Sequence, residues 1–292
     1  NKWFTKESRP IKSRRIQEGE IMANDIGGVW RTVGGRRIFI KDGENLETAM
    51  KKSGKFEKKE YTIATKDENG TYRINNVVVE LKGMDETYKK DIEQTIKELT
   101  EEFDSNLWGV KYLPEEKKEF GNIHMAQTEG NRYQTHITIN GFGNKNNFSD
   151  KIDDEIKRAN ITNIDKENYG KYLVTHEFGH CLSAYNLTKS QTDKMETLYR
   201  KHTLEVANLE RQIKEKNTEF LFDTTKTELA DEVSVLSKQL KETRISKYAM
   251  TSVDEFVAEA FTNYKLNKNP NKYSVEVYNM LKEFNKKWER GF

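Results

Sequence analysis

The chain has 292 residues with 50 basic and 48 acidic side chains, a net charge of +2. This near-balance gives no reason to expect a nucleic-acid partner, and 14 Phe, 13 Tyr and 4 Trp exclude a wholly disordered chain. The sequence has no apolar run of about 18 residues, so we expect no membrane span. Its one cysteine, Cys181, excludes an internal disulfide and suits a reducing compartment.

The N-terminal part differs from the rest in charge. Residues 1–60 carry 15 basic and 9 acidic side chains, a net charge of +6. Residues 1–24 are aperiodic, and we interpret them as a solvated basic arm, with contact to an acidic surface as the alternative. The sequence starts at Asn1 and not at a methionine, so we expect it to be a processed piece of a longer protein. We therefore divide the chain into an arm with a small N-terminal unit, 1–60, and a second domain, 61–292.

The small unit is predicted to be rich in β-structure. Trp30–Thr32 and Arg37–Ile40 are strand-like and flank Gly34–Gly35. A second turn is predicted at Asp42–Gly43, and Leu46–Lys52 fits one or two helical turns.

The second domain mixes strand and helix patterns, with a polar loop predicted after Asn140 and a break at Asn269–Pro270. The predicted strands are Tyr72–Leu81, Val110–Leu113, Asn122–Gln127 and Thr135–Asn140; the predicted helices are Thr87–Phe103, Lys166–Tyr185, Val253–Tyr264 and Val275–Trp288.

Residues 190–247 carry two apolar stripes with a spacing of three and four residues. Asn217–Thr225 interrupts the pattern, and Thr225 with Glu228 predicts a capping box at the second helix. The pattern predicts an inserted antiparallel helical hairpin. A solvated structural arm is one interpretation of it, and an arm that binds a partner or gates substrate is the other.

The pentapeptide His176-Glu177-Phe178-Gly179-His180 has the HExxH pattern. Histidines at positions i and i+4 lie on one helix face, so both imidazoles can bind one metal ion. Glu177 lies next to that face and can act as a general base on water at the fourth coordination position. The pattern predicts a catalytic zinc site, with a histidine pair that binds no metal as the alternative.

A third protein ligand is needed because catalytic zinc usually has three. His202 follows His180 by 22 residues (202 − 180) and falls on the apolar stripe, so we interpret it as a packing residue. Glu255 and Glu259 share one face of a helix whose opposite face is apolar, which makes this pair of carboxylates the candidate source of the third ligand. A solvated acidic surface is the alternative for this pair.

The cysteine and the two remaining histidines could also bind metal. Cys181 follows His180 and points off the ligand face, so we expect it to be small and buried. His124 and His136 lie in strand-like segments and are expected at the surface or in packing, with contact between His136 and substrate as the alternative.

HEFGH, followed by Tyr248 and by the segment Glu255–Phe261, resembles the catalytic domain of the anthrax lethal factor family of zinc metallopeptidases, which have the zincin fold. The resemblance covers residues 72–290 in element order and is close in these two segments. It implies that His176 and His180 bind zinc together with Glu255.

The same resemblance implies that Glu177 is the general base, Glu259 a supporting acid behind the ligands, and Tyr248 a donor to the oxyanion. The hairpin separates His180 from Glu255 by 75 residues (255 − 180), more than in compact members of the family. Substrate preference therefore does not carry over.

The segment Gly28–Gly43 resembles a short segment at the ends of phage minor head proteins. This resemblance implies a phage or prophage origin and attachment to virion components, with phage capsid or portal proteins as partners.

We therefore predict an α+β, zincin-like metallopeptidase domain with an inserted helical hairpin and a small N-terminal β-rich unit. The predicted function is a zinc endopeptidase, with protein substrate lying along Thr135–Asn140 as an edge strand. The alternatives are a virion structural or docking protein with a structural zinc, and an effector with one host target. Two histidines and a glutamate also accept other divalent metals.

Overall fold

The computed structural model describes residues 28–33, 36–41, 70–113, 125–131, 133–141, 145–183, 187–222 and 225–289. The chain divides into two compact units: Asn1–Lys58 with Trp288–Phe292, and Lys59–Lys287.

The first unit contains a two-stranded antiparallel sheet. Its strands are β1 (Gly28–Val33) and β2 (Arg36–Lys41), with Val33 opposite Arg36. The two strands predicted around Gly34–Gly35 are therefore confirmed. The predicted basic arm, the turn at Asp42–Gly43 and the helical turns over Leu46–Lys52 lie outside the described residues.

The second unit is mixed α+β and mostly helical, with one five-stranded mixed sheet. Its strand order is β3-β4-β5-β7-β6, with parallel pairs in the middle and antiparallel pairs at both sides. The strands are β3 (Thr71–Ile74), β4 (Val77–Glu80), β5 (Leu107–Leu113), β6 (Ala126–Asn131) and β7 (Gln134–Asn140).

The single strand predicted over Tyr72–Leu81 is wrong, because the segment folds back on itself as β3 and β4. The two strands pair from Thr71 opposite Glu80 to Ile74 opposite Val77. Asn75 in the connecting turn has φ 51°, a left-handed conformation that asparagine adopts more readily than most residues.

The edge strand also differs from the prediction. β7 is an interior strand, paired with β5 on one side and with β6 on the other. Of the described strands, β6 ends the sheet on this side. The strand predicted over Thr135–Asn140 is confirmed, but the prediction that it lies at the edge of the sheet is wrong.

The described part of the second unit has seven α-helices. They are α1 (Glu86–Glu102), α2 (Lys145–Lys157), α3 (Tyr172–Ser183), α4 (Lys189–Phe222), α5 (Thr227–Thr243), α6 (Val253–Leu266) and α7 (Lys272–Glu289).

α1 begins where Asp85 caps it, since the Asp85 carboxylate accepts hydrogen bonds from the Thr87 and Tyr88 amides. Its apolar stripe is buried in the core, as the spacing predicts; Ile92 and Ile96 are fully buried. The polar loop predicted after Asn140 is wrong over Lys145–Lys157, because these residues form α2. Its few apolar side chains are spaced by one turn, and Phe148 and Ile152 are both fully buried.

Two long helices form the predicted hairpin over 190–247. α4 continues through Phe222, so the break predicted over Asn217–Thr225 is shorter than expected. α5 begins after Lys226, whose side chain makes no capping hydrogen bond. The capping box of Thr225 and Glu228 stays a prediction. Ion pairs between Lys216 and Glu232, and between Glu210 and Arg244, show that the helices run antiparallel.

The two halves of the hairpin differ in burial. In the first half of α4, here called the hairpin root, Met195, His202 and Val206 are fully buried. Near the tip, Leu221 and Phe222 are 79% and 88% exposed. The root is therefore part of the domain core, and the tip lies in solvent.

α6 and α7 complete the core. The two helices are separated at the predicted break, and Val277 and Leu281 of α7 are buried, as the spacing predicts. These side chains join Ile137 of β7, Phe178 of α3 and Phe261 of α6 in one hydrophobic core. Across the described residues, none of the helices combines the length and apolar character needed to cross a membrane.

Candidate metal centre

The HExxH motif lies on α3, which starts after a 3₁₀ turn at Lys166–Lys171. Lys166–Tyr185 is therefore not one helix, as predicted, but a turn followed by a helix. His176 and His180 are one turn apart, and their ring centroids are 4.9 Å apart. Phe178 points from the same helix into the core and is fully buried. The helix thus buries one face and presents both imidazoles on another.

α6 packs closely against α3 because the motif contains Gly179. A Cβ at this position would lie 2.7 Å from the Cα of Ala258. Only a residue without a side chain permits this approach. Ala258 lies between Glu255 and Glu259 on α6, so the contact brings both carboxylates to the histidines.

Glu255 completes a group of three possible metal ligands. Its Oε2 lies 3.3 Å from Nε2 of His176 and 3.3 Å from Nε2 of His180. This oxygen is buried and has no hydrogen-bond partner. A buried carboxylate oxygen without a partner is costly unless a cation compensates it. The arrangement of His176, His180 and Glu255 could hold a metal ion.

The electrostatics of this group favour positive charge. Burial lowers the pKa of His176, but the contacts with Glu255 and Glu259 outweigh it and raise the pKa to about 10. For Glu255, burial raises the pKa, but the two histidines outweigh that effect and hold it well below its usual range. The two carboxylates therefore stabilise a cation at the centre.

Glu259 lies on the opposite side of the His176 ring from Glu255 and is fully buried. Its Oε1 lies 2.9 Å from Nδ1 of His176, although the N–H direction departs from an aligned hydrogen bond. Tyr172 donates a hydrogen bond of 2.7 Å to the same oxygen, and the Thr162 amide donates one of 2.5 Å to Oε2. Glu259 is thus fixed, and it faces the ring nitrogen of His176 that is turned away from Glu255. A carboxylate in this position orients a ligand histidine.

Glu177 is held in place by a hydrogen bond from a residue of the sheet. Its side chain is buried, and the hydroxyl of Thr128 on β6 donates a hydrogen bond of 2.6 Å to its Oε2. Glu177 does not belong to the group of possible ligands. Its carboxylate lies between the motif helix and the edge strand.

Tyr248 lies beside the group on a short 3₁₀ turn, Tyr248–Met250. Its ring stacks on the ring of His176, with centroids 5.9 Å apart and planes 18° from parallel. Burial, and then the charge of Glu255, raise the pKa of Tyr248 well above its usual range. The phenol therefore keeps its proton at neutral pH and can donate it in a hydrogen bond.

The turn that carries Tyr248 is held from two sides. The Tyr248 amide donates to the carbonyl of Asn160 at 3.0 Å. Tyr199 of the hairpin root donates its hydroxyl to the carbonyl of Met250 at 2.8 Å. The hairpin root and the segment that follows α2 together fix where Tyr248 lies.

The remaining candidates have packing or surface positions. His202 is fully buried, with its ring 5.1 Å from Phe256 and 4.9 Å from Tyr273, which confirms it as a packing residue. Cys181 is buried, as expected, and burial raises its pKa to about 12. His136 is exposed on interior strand β7. His124 lies outside the described residues.

Three residues of the centre were missed from the sequence: Thr128, Thr162 and Tyr172. Tyr172 precedes His176 by one helical turn, so the spacing could have placed it on the ligand face. Thr128 and Thr162 act on Glu177 and Glu259 from distant parts of the chain, and no local pattern marks them.

Comparison with known proteins gives no assignment. No protein-family model matches the chain, and no curated protein or solved structure matches it.

Proposed function

We propose that this chain is a zinc-dependent endopeptidase with a zincin-like catalytic domain. The observation that carries the proposal is the convergence of His176 and His180 with Oε2 of Glu255, at 3.3 Å from each Nε2. Glu177, on the same helix turn, supplies a carboxylate that belongs to no ligand group. These are the elements of a metal-assisted hydrolase.

Zinc is supported by the ligand types and their spacing. Zinc–nitrogen and zinc–oxygen bonds of about 2.0 to 2.2 Å at tetrahedral angles put ligand atoms about 3.3 to 3.6 Å apart. The separations of 3.3 Å between Glu255 and the two histidines fit this spacing. Two histidines and one glutamate are also a known ligand set of catalytic zinc.

The zincin fold is supported by how the elements meet. The motif helix α3 packs beside the antiparallel edge strand β6, since Thr128 contacts Glu177. α6 crosses α3 at Gly179 and brings the glutamate ligand. The hairpin of α4 and α5 lies between these helices in sequence and leaves that contact intact.

The proposed reaction is hydrolysis of a peptide bond by water. Zinc, when bound, lowers the pKa of water to about 7 and polarises the scissile carbonyl. Glu177 accepts the proton from the attacking water and later gives it to the leaving amine. Tyr248 donates a hydrogen bond from its phenolic hydroxyl to the carbonyl oxygen as negative charge develops there. The products are one carboxylic acid and one amine.

The proposed substrate is an extended protein segment on β6. An edge strand leaves backbone groups on its outer side free to pair with another chain. β6 fits this role because its Thr128 reaches Glu177. This replaces the prediction that substrate pairs with Thr135–Asn140, which is an interior strand.

The alternative of a structural zinc has less support. Structural zinc sites are usually closed by four protein ligands. The described residues bring three ligand atoms together, which leaves one position for water or substrate. Attachment to phage capsid or portal proteins stays a prediction from the N-terminal resemblance.

The test of this function is a Glu177→Gln variant, because glutamine keeps the size of the side chain and cannot accept a proton. We expect zinc content equal to that of the wild type. Cleavage of unfolded β-casein, followed by mass spectrometry, should slow by at least about 100-fold. Cleavage at the wild-type rate by a zinc-loaded variant would sink the proposal.

A further inference from the structure

The hydroxyl of Thr128 contacts Glu177 at two points. It lies 2.6 Å from Oε2 of the side chain and 3.0 Å from the backbone carbonyl of the same residue. A hydroxyl has one proton, and the shorter contact leads to the more basic oxygen. The hydrogen bond therefore goes to the carboxylate and engages one of its two oxygens.

This contact is made across the fold. Thr128 lies on β6 and Glu177 on α3, 49 residues further along the chain. On its strand, Thr128 is opposite Ile137 of β7, so backbone pairing fixes its position. The carboxylate is thereby tied to the edge strand and not only to its own helix.

We propose that Thr128 is the positioning residue for Glu177 in peptide hydrolysis, an inference that rests on the proposed function. Because Thr128 engages Oε2, we assign the proton transfer to Oε1, the other carboxylate oxygen of Glu177. If Oε1 takes the proton from water, Oε2 is still an acceptor, so the Thr128 hydroxyl can keep its hydrogen bond to Oε2. Glu177 can then accept and return a proton without changing its rotamer.

The proposal also links the general base to the substrate. A segment that pairs with β6 takes its register from the same backbone that carries Thr128. The distance between the scissile bond and Glu177 is then set within one strand. Reactions lose rate steeply when the reacting groups are displaced by about 1 Å.

The test compares Thr128→Val, which keeps the shape and removes the hydroxyl, with Thr128→Ser, which keeps the hydroxyl. Thr128 is not among the three possible ligands, so zinc content should equal that of the wild type in both. For casein cleavage, we expect kcat of Thr128→Val to fall about 10- to 100-fold with KM nearly unchanged. Thr128→Ser should stay within about threefold of the wild type.

A second readout does not need turnover. Acetohydroxamate binds zinc and would donate its hydroxyl proton to Glu177, so its affinity reports where Glu177 lies. By calorimetry on the zinc-loaded proteins, Thr128→Val should bind it about 10-fold more weakly and Thr128→Ser as the wild type does. Glu177→Gln is the reference for a site without the carboxylate.

The outcomes separate the two proposals. If Glu177→Gln weakens hydroxamate and both Thr128 variants bind like the wild type, the positioning role is overturned and the peptidase stands. If both Thr128 variants lose affinity equally, with lower melting temperatures, Thr128 is only a structural tie between β6 and α3. If the wild type binds neither zinc nor hydroxamate, the proposed function fails, and the positioning role fails with it.

Discussion

Gly179 and Ala258 form the closest approach between the motif helix and the glutamate helix. A Cβ on Gly179 would lie 2.7 Å from the Cα of Ala258 and 3.2 Å from its Cβ. The nearer atom belongs to the backbone, so it cannot turn aside. This contact sets the distance between the histidines on α3 and Glu255 on α6.

Gly179→Ala should therefore force the two helices apart. We expect a loss of about 1 to 3 kcal/mol in the free energy of unfolding, the usual cost of an overpacked core, and weaker zinc binding because Glu255 moves. Urea unfolding and zinc titration measure the two effects. Ser183→Ala, near the end of the same helix, is the control because its buried Oγ has no hydrogen-bond partner. Unchanged zinc affinity in Gly179→Ala would show that the contact does not set the ligand geometry.

Glu259 should matter for metal binding although it is not among the three ligands. Glu259→Gln places an amide where the carboxylate faces His176, Tyr172 and the Thr162 amide, so one donor meets another donor. We expect zinc affinity to fall by about 10- to 100-fold. A competition titration with a chelator measures this loss. Tyr172→Phe removes one of the three donors and should have a smaller effect; an equal or larger effect would count against Glu259 as the organising group.

His202 should make stability depend on pH. Burial lowers its pKa from 6.5 to about 4, so the unfolded chain binds a proton that the folded chain does not. Stability is then complete above pH 6.5 and falls as the pH drops toward 4. Between pH 7.5 and pH 5, this group should remove about 2 kcal/mol from the free energy of unfolding.

The measurement is urea unfolding of metal-free protein at both pH values, for the wild type and His202→Gln. Glutamine does not titrate, and all other groups are shared, so the variant should lose about 2 kcal/mol less on acidification. An equal loss in the two proteins would rule out His202 as the source.

Shortening the hairpin should distinguish the role of its root from the role of its tip. Replacing Lys214–Leu236 by a short Gly-Ser linker keeps the root, including Tyr199 and His202, and removes the exposed Leu221 and Phe222. We expect the zinc content and the cleavage of a short peptide to stay at the wild-type level. If cleavage of a folded protein falls while the short peptide is unaffected, the tip binds or admits substrate. Loss of zinc would contradict the claim that the hairpin root, without the tip, is sufficient to keep the metal centre intact.

The sequence predicted the local parts of the centre well. His176, Glu177 and His180 follow from helix periodicity, which needs no tertiary information. The helix face indicates the pair Glu255 and Glu259, and the family resemblance singles out Glu255, which the structure brings to the histidines. Thr128 could not be selected, because its role depends on β6 lying beside α3.

The order of the strands in the sheet is the other feature that the sequence does not predict. The alternation in Thr135–Asn140 indicates which face is buried, but it does not indicate which strands lie on either side. β6 precedes β7 in the chain and adds to its outer side, so the predicted edge became an interior strand. The segment Tyr72–Leu81 gives no sequence signal for its turn, because the turn consists of two asparagines and contains no glycine.

The most direct test of the central claim is the metal content of purified protein by mass spectrometry, for the wild type beside Glu255→Ala. The account predicts about one zinc per chain in the wild type and little or none in the variant, because a catalytic zinc site depends on three protein ligands. Full zinc retention in Glu255→Ala would move the third ligand elsewhere. No zinc in the wild type after reconstitution would contradict the account as a whole.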